Sequence, residues 1–367
     1  MTAAAAETVS EGSPGNPAAP PGVRRSSGTL HYILRRLGQA VVVLWGAVTL
    51  SFLIIHLVPG DPVRIMTGGG EGGEGAALDS AAEAQLREQL GLDQPILIQY
   101  FDFLWRAATF DFGMSYSTGQ PVSSAIATAL PVTIELGIAS IIASVLLALL
   151  FALGSVLLPT QTLRSGFQSA SLLGTAMPSF WVGILLLQLF SFQLGWFPAF
   201  GSASWQALVL PSLTLALLTA GTLGQILTRG LNEALAESYA DTARAKGISE
   251  LRVVLRHALR NASLPAFTMV GMMVGGILSG TTIVETIYGR QGIGMYFVQA
   301  IQAQDFPLIQ ALVILSGAFF VIVTLIVDLA YRWIDPRVVA PQEHSSTKKR
   351  STAKTTATKA AEKGGTR

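Results

Sequence analysis

Chemistry needs ionisable or nucleophilic groups held close together, and this sequence offers few. It contains no cysteine, so disulfides, thiolate metal sites and cysteine nucleophiles are excluded. With only four His, a histidine metal centre is not expected either. No Ser/His/Asp set or pair of carboxylates falls in a credible catalytic arrangement. The phosphate-cradling pattern G-x-x-x-x-G-K-[ST] is missing, and the Gly-rich run 289–294 lacks its lysine. What remains is a handful of residues set in apolar runs. Glu135 follows Pro131 at the end of one run. An acid in the first turns of a helix is favoured by the dipole, which predicts a structural role, with a substrate-facing role as the alternative. Asp328 is read as pairing with Arg332 at i+4. His56 sits at the edge of the first run and needs no special account. Gly271/Gly275 and Gly276/Gly280 are two small-xxx-small pairs that allow close helix approach. They serve either packing within the chain or a face that slides against something else.

The richest constellation is polar. Over 231–246 the chain is rich in Ala, Glu, Arg and Leu and reads as one helix. Gly247 follows, where a helix commonly ends in a left-handed residue. Ser249 is placed to cap a second helix, with Glu250 in its first turn. There Leu251, Val254, Leu255, Ala258 and Leu259 fall at i, i+3, i+4, i+7 and i+8, one apolar stripe. Arg252, Arg256 and Arg260 recur on another face. Two amphipathic helices bent at a glycine can rest on lipid or plug a groove on a partner protein. Periodicity does not separate the two.

The elements that must position these residues are membrane spans. Half of the 367 residues are hydrophobic and 13% are charged, against about 25% charged in soluble domains. Runs of about 20 apolar residues occur six times, over 37–58, 132–158, 170–194, 207–228, 263–284 and 308–330. Pro178, Pro211 and Pro265 fall inside three of them, which a helix bundle tolerates. With the N-terminus inside, the inner segments hold 20 of the 24 Lys and Arg residues, and only Arg64, Arg87, Arg106 and Arg290 lie outside. Both termini are therefore expected to be cytoplasmic. The net charge of +2 gives nucleic-acid binding no support. Residues 1–29 and the basic run 341–367 read as disordered tails, the second able to lie on anionic lipid. Between them, 30–340 forms one membrane domain. Its external segment, 59–130, holds a Gly-rich run (68–75), an amphipathic run (80–90) and interfacial aromatics from Tyr100 to Phe112. Its cytoplasmic loop spans 229–262.

The run YADTARAKGISELRVVLRHALRNASLP (239–265) resembles the cytoplasmic loop of ABC importer permeases: Glu-Ala-Ala, three residues, Gly, nine residues, Ile-x-Leu-Pro. Gly247 matches the glycine. Asp241, Thr242 and Ala243 stand at the Glu-Ala-Ala positions, and His257, Leu259 and Arg260 at the Ile, Leu and Pro positions. ILRRLGQ, HLVPGDP, LGLDQP, DFGMS, LPVTIELG, MPSFWVGILL, ETIYGRQGIG, QDFPLIQA and VDLAYRWIDPRV extend the likeness over about 30–340. Together they resemble the B-type permease of the dipeptide/oligopeptide branch. The resemblance implies an all-α polytopic fold of the type I importer, with six transmembrane helices, in a bacterial inner membrane. It implies a second homologous permease, two ABC ATPase subunits that bind ATP and Mg, and an external solute-binding protein. The chain would be no enzyme and would hold no cofactor or metal. The bent pair would be the coupling helix, with Tyr239, Asp241, Ala243, Arg244, Lys246, Gly247 and Leu251 against an ATPase. In this setting Ala243 would let a partner backbone approach, and Arg244 and Lys246 would pair with acidic residues of its groove or act as positive-inside anchors. Glu135 would face a peptide ammonium if it has a substrate role, and the span-5 glycines would line the translocation path if they do not merely pack. Short peptides are the expected cargo; nickel, glutathione or oligosaccharides are alternatives, and a secondary transporter driven by an ion gradient is a remoter one.

Overall fold

Backbone polar groups inside lipid must be satisfied within their own segment, which favours helices wherever the apolar runs occur. The computed structural model describes residues 27–57 and 93–334. Residues 1–42 form one unit, described only through the start of α1, and residues 43–367 form a second unit with all other elements. The helices are α1 (Ser27–Leu57), α2 (Ile96–Ala108), α3 (Val122–Leu157), α4 (Gln161–Ala176), α5 (Ser179–Leu186), α6 (Gln206–Leu235), α7 (Ser238–Ala245), α8 (Glu250–Arg252), α9 (Leu259–Ile287), α10 (Ile293–Gln302) and α11 (Phe306–Ile334). π-helical turns extend α5 over Leu187–Gln193 and join α8 to α9 over Val253–Ala258. No strand occurs among the described residues; Met114 and Pro121 form an isolated bridge. The tails, the runs 68–75 and 80–90, and the Asp328–Arg332 pair lie outside the residues whose side chains are described.

Among the described residues, four helices are long and apolar enough to cross a membrane, and up to six spans result if two bent pairs each count as one. The expected third span is not straight. α4 and the following helix Ser179–Gln193 meet at 115°. The cause is local: Met177 takes the extended backbone favoured before proline (φ −91°, ψ 136°), and Pro178 starts the next helix without an N–H to offer the last one. Pro131, Pro211 and Pro265 stay inside α3, α6 and α9. α9 itself bends by 47° between Met269–Ile277 and Ser279–Ile287.

The core is a close meeting of α3, α6 and α9. Ala148, Phe151 and Ala152 pack with Ala220, Leu223 and Leu227, and with Val254, Ala258 and Ala262. Small residues let backbones approach: a Cβ on Gly221 would stand 2.6 Å from the Ser171 carbonyl, whose hydroxyl donates to the Gly221 carbonyl at 2.7 Å. The Ser155 and Thr228 hydroxyls share a bond of 3.1 Å across the α3–α6 seam. Such interhelical bonds contribute about 1 kcal/mol each in membranes.

Candidate functional site

The loop between α6 and α9 is a folded element. α6 runs on as far as Leu235, so the helix expected over 231–246 is divided: its first turn belongs to the span, and α7 restarts after Ala236–Glu237. Gly247 has φ +76°. Its N–H reaches the Arg244 carbonyl at 2.9 Å and the Ile248 N–H reaches the Ala243 carbonyl at 3.2 Å, the two bonds of a Schellman ending, with Ile248 packed in the cluster that holds Ala243. Ser249 has the extended backbone of a helix start, but its side chain makes no capping bond. Arg244 does the fastening instead. It donates to Glu250 through Nε (3.0 Å) and Nη2 (2.9 Å) and to Asp241 through Nη1 (2.9 Å). A bidentate fork across the glycine fixes the angle between α7 and α8. Those bonds hold the Glu250 carboxyl below the usual carboxylate range and keep Arg244 more firmly protonated.

This arrangement corrects several expectations. Ala243, expected against a partner's backbone, is 8% exposed and packs with Ala240 and Val253 inside the loop. Its smallness serves the closure of α7 onto the π-helical turn. Arg244, expected to pair with acidic residues of a partner groove or to act as a positive-inside anchor, pairs within the loop with Asp241 and Glu250 and stays exposed. The apolar stripe splits, because a wider turn over Val253–Ala258 breaks the 3.6-residue period. Val254 and Ala258 are buried, whereas Leu251 and Leu255 are 55% and 44% exposed. Nor does the second helix stand alone: through the π-helical turn it continues into α9. Tyr239 ties α7 to α9, accepting from Asn261 Nδ2 at 3.1 Å. Of the residues expected to meet a partner, Asp241, Arg244, Lys246, Gly247 and Leu251 are exposed, and a Cβ on Gly247 would meet nothing within 4 Å.

At the other end of α9 lies a buried polar network that the sequence reading missed. Glu285 and Arg290 are both fully buried. Glu285 accepts from the Thr133 hydroxyl at 2.6 Å and from the Gly294 and Met295 N–H groups at 2.7 and 3.3 Å. A Cβ on Gly292 would collide with its carboxyl group. Arg290 donates to the Ala207 carbonyl at 3.2 Å and to Glu135 at 3.2 Å, and its Nε has no partner. Glu135 is therefore the half-exposed counter-ion of a buried arginine. The dipole explanation for it fails, because α3 begins at Val122 and Glu135 lies well inside the helix. A glutamate five residues ahead of an arginine, among three glycines, was the available signal.

Asp305 is a second buried acid. It accepts from the hydroxyls of Ser115 (2.5 Å) and Ser117 (2.7 Å), and from the N–H groups of Ser117 (3.2 Å) and Leu308 (3.3 Å). It caps α11 and pins the turn 111–121 to it. Burial works to raise its carboxyl, but the hydrogen bonds outweigh it and hold the group below the usual carboxylate range. A depressed folded value contributes stability in full above the unfolded value of about 3.9 and loses it as pH falls through the folded value. Asp305→Asn is thus expected to lower the melting temperature in detergent between pH 5 and 7, with the gap from wild type closing below about pH 4. A gap independent of pH would refute this.

Three of the four span-5 glycines are closely packed within the chain. A Cβ on Gly271 would strike Val327, one on Gly275 would stand 2.9 Å from Phe320, and one on Gly280 2.8 Å from Leu215, so these three pack within the chain. Gly276 faces open space. Gly275 also lines a cavity of about 380 Å³ with Thr133, Ser279, Thr282, Ser316 and Phe297.

Comparison with known proteins places these features. Residues 144–340 match the family described as binding-protein-dependent transport system inner membrane component, and residues 29–137 match the N-terminal model of such membrane components. The glutathione transport system permease protein GsiC of Salmonella typhimurium is 37% identical over 309 residues, covering 84% of this chain and 99% of that protein. GsiC of Escherichia coli (strain K12) is 35% identical over the same shares. Among solved structures, an amino acid ABC transporter with histidines aligns at TM-score 0.46 and 16% identity over 57% of this chain and 94% of that one. The MetNI methionine ABC transporter aligns at TM-score 0.45 and 15% identity over 59% and 97%.

Proposed function

Because the chain belongs to the binding-protein-dependent transport system inner membrane component family, and is thus a multi-pass permease subunit of an ABC importer, we propose that it carries short peptides of about tripeptide size and is driven through its loop 229–262. The relatives that cover 84% of the chain are named as glutathione permeases, and glutathione is a tripeptide, which favours this cargo over nickel or oligosaccharides. A second permease completes the path, two ATPase subunits hydrolyse ATP, an external binding protein delivers the peptide, and lipid surrounds the spans. Both termini are cytoplasmic on the Lys and Arg distribution.

One observation carries the docking role: the glycine-jointed loop is braced by Arg244 and is continuous with both α6 and α9. A loop so built cannot be displaced without moving the two helices that form the core with α3. That is what a motor needs if its groove changes position between nucleotide states. The docking face consists of Asp241, Arg244, Lys246, Gly247 and Leu251, with the half-buried Tyr239 and the buried Ala243 supporting it from behind. Since the chain has no cysteine, Lys246→Cys provides a unique attachment point. A short bifunctional reagent there is expected to capture the ATPase subunit, in a yield that changes between ATP and ADP. Capture of lipid alone would overturn the docking role. Uptake of labelled tripeptides with the cognate binding protein tests the cargo, and transport of only nickel or sugars would replace it.

A further inference from the structure

Helix α2 has three distinct sides. One packs on the bundle: Ala107 clusters with Val48 of α1 and Ile314 of α11, joined by Phe103 and Leu104. On the same side the Tyr100 and Thr49 hydroxyls are 2.8 Å apart, and Phe52 meets Tyr100 edge-on at 5.3 Å and Phe103 at a tilt at 5.8 Å. At 3.6 residues per turn, Leu97, Ile98, Phe101 and Trp105 project roughly 60–160° away from that side. They are 67%, 52%, 65% and 70% exposed. Gln99, Asp102 and Arg106 occupy the third sector, roughly 200–260° round, and Asp102 and Arg106 are the helix's only charges.

The level of the packed side decides what meets the apolar one. Val48, Thr49 and Phe52 belong to the apolar run Leu34–Ile54 of α1. At 1.5 Å per residue, Thr49 lies about 7 Å inside the end of that run. α2 is therefore held beside the edge of the hydrocarbon layer rather than above it. Its apolar side continues the exposed apolar surface of α1 at Leu50 and Leu53, which are 56% and 43% exposed. A helix with one protein side, one apolar side rich in aromatics and one charged side fits the headgroup boundary. We propose that α2 is an interfacial anchor whose Leu97–Phe101–Trp105 side is buried in lipid, in the leaflet at the C-terminal end of α1, and whose Asp102 side faces water. This rests on α1 spanning the bilayer and not on the identity of the cargo.

Spin labels on single cysteines test it in the full-length chain, reconstituted in phosphatidylglycerol/phosphatidylethanolamine nanodiscs. The sites are Leu97→Cys, Phe101→Cys, Trp105→Cys and Asp102→Cys, with Leu53→Cys as the reference in the span. Collisions with oxygen, which concentrates in lipid, are compared with those of a water-soluble nickel chelate. Oxygen is expected to dominate at 97, 101 and 105, as it does at 53, and the chelate to dominate at 102. Chelate dominance at 101 and 105 while 53 remains in lipid would overturn the anchor. So would protection of all three from both reagents, which would mean that a protein covers the face. Loss of the lipid signature at 53 itself would instead refute the spanning of α1, on which the proposal stands.

Discussion

Glu285→Ala is expected to destabilise the chain by about 3–5 kcal/mol, the cost of leaving several buried donors without an acceptor, and to lower its melting temperature in detergent by roughly 10 °C. The carboxylate is fully buried and closes the joint between α9 and α10. Removing it leaves the N–H groups of Gly294 and Met295 without acceptors. An orphaned buried donor costs about 1–3 kcal/mol. It also removes a carboxyl group from the neighbourhood of Arg290, whose ion-pair partner, Glu135, is half in solvent. Glu285→Gln separates the two contributions. An amide oxygen can still accept from the two N–H groups, and its NH2 can donate to the Thr133 hydroxyl, which itself accepts from the Ile293 N–H at 2.8 Å. The geometry is kept and the carboxyl group is lost, so a smaller loss of stability is expected. Equal melting temperatures for the alanine variant and wild type would show that the network does not hold the joint.

The two ends of α9 differ in how much the sequence discloses. The bend at Gly247 is legible because it is a local event: a helix-forming run, then the one residue that adopts a left-handed backbone without strain, then a polar restart. The position came out as expected, together with the helical class and the apolar runs that become α1, α3, α6, α9 and α11. The partners of the residues around the bend did not. Whether Arg244 reaches outward or folds back onto Glu250 depends on the angle that Gly247 sets, and periodicity carries no angle. The same limit explains the split stripe. The spacing of Leu251 and Leu255 assumes 3.6 residues per turn, and one π-helical turn moves them outward. Pro178 was legible as a proline but not as a break of 115°, since Pro131, Pro211 and Pro265 sit in continuous helices. The Glu285 and Asp305 networks join residues 152 and 190 positions apart. No local pattern encodes such a pairing, although Asp305, just ahead of Pro307 and an apolar run, was a readable helix cap.

Gly247→Val is expected to cut substrate-stimulated ATP hydrolysis by the assembled importer at least tenfold while leaving membrane insertion and the melting temperature close to those of wild type. The reason is conformational, not steric, since a Cβ at Gly247 meets nothing within 4 Å, while φ of +76° is strained for any branched side chain. Left-handed backbone costs an ordinary residue about 1–2 kcal/mol. That is too little to unfold a bundle whose core lies among α3, α6 and α9, but it is enough to displace a solvent-exposed joint. Once the joint shifts, the Schellman bonds and the Arg244–Glu250 fork no longer share one geometry, and Lys246 and Leu251 leave the positions a partner groove would read. Gly247→Asn is the companion variant. Asparagine tolerates the left-handed region better than other non-glycine residues, so it is expected to retain much of the stimulation that valine loses. Full stimulation in the valine variant would remove the joint from the coupling mechanism. Equal loss in both would make the feature the partner reads the absence of a side chain at position 247, and not the bend.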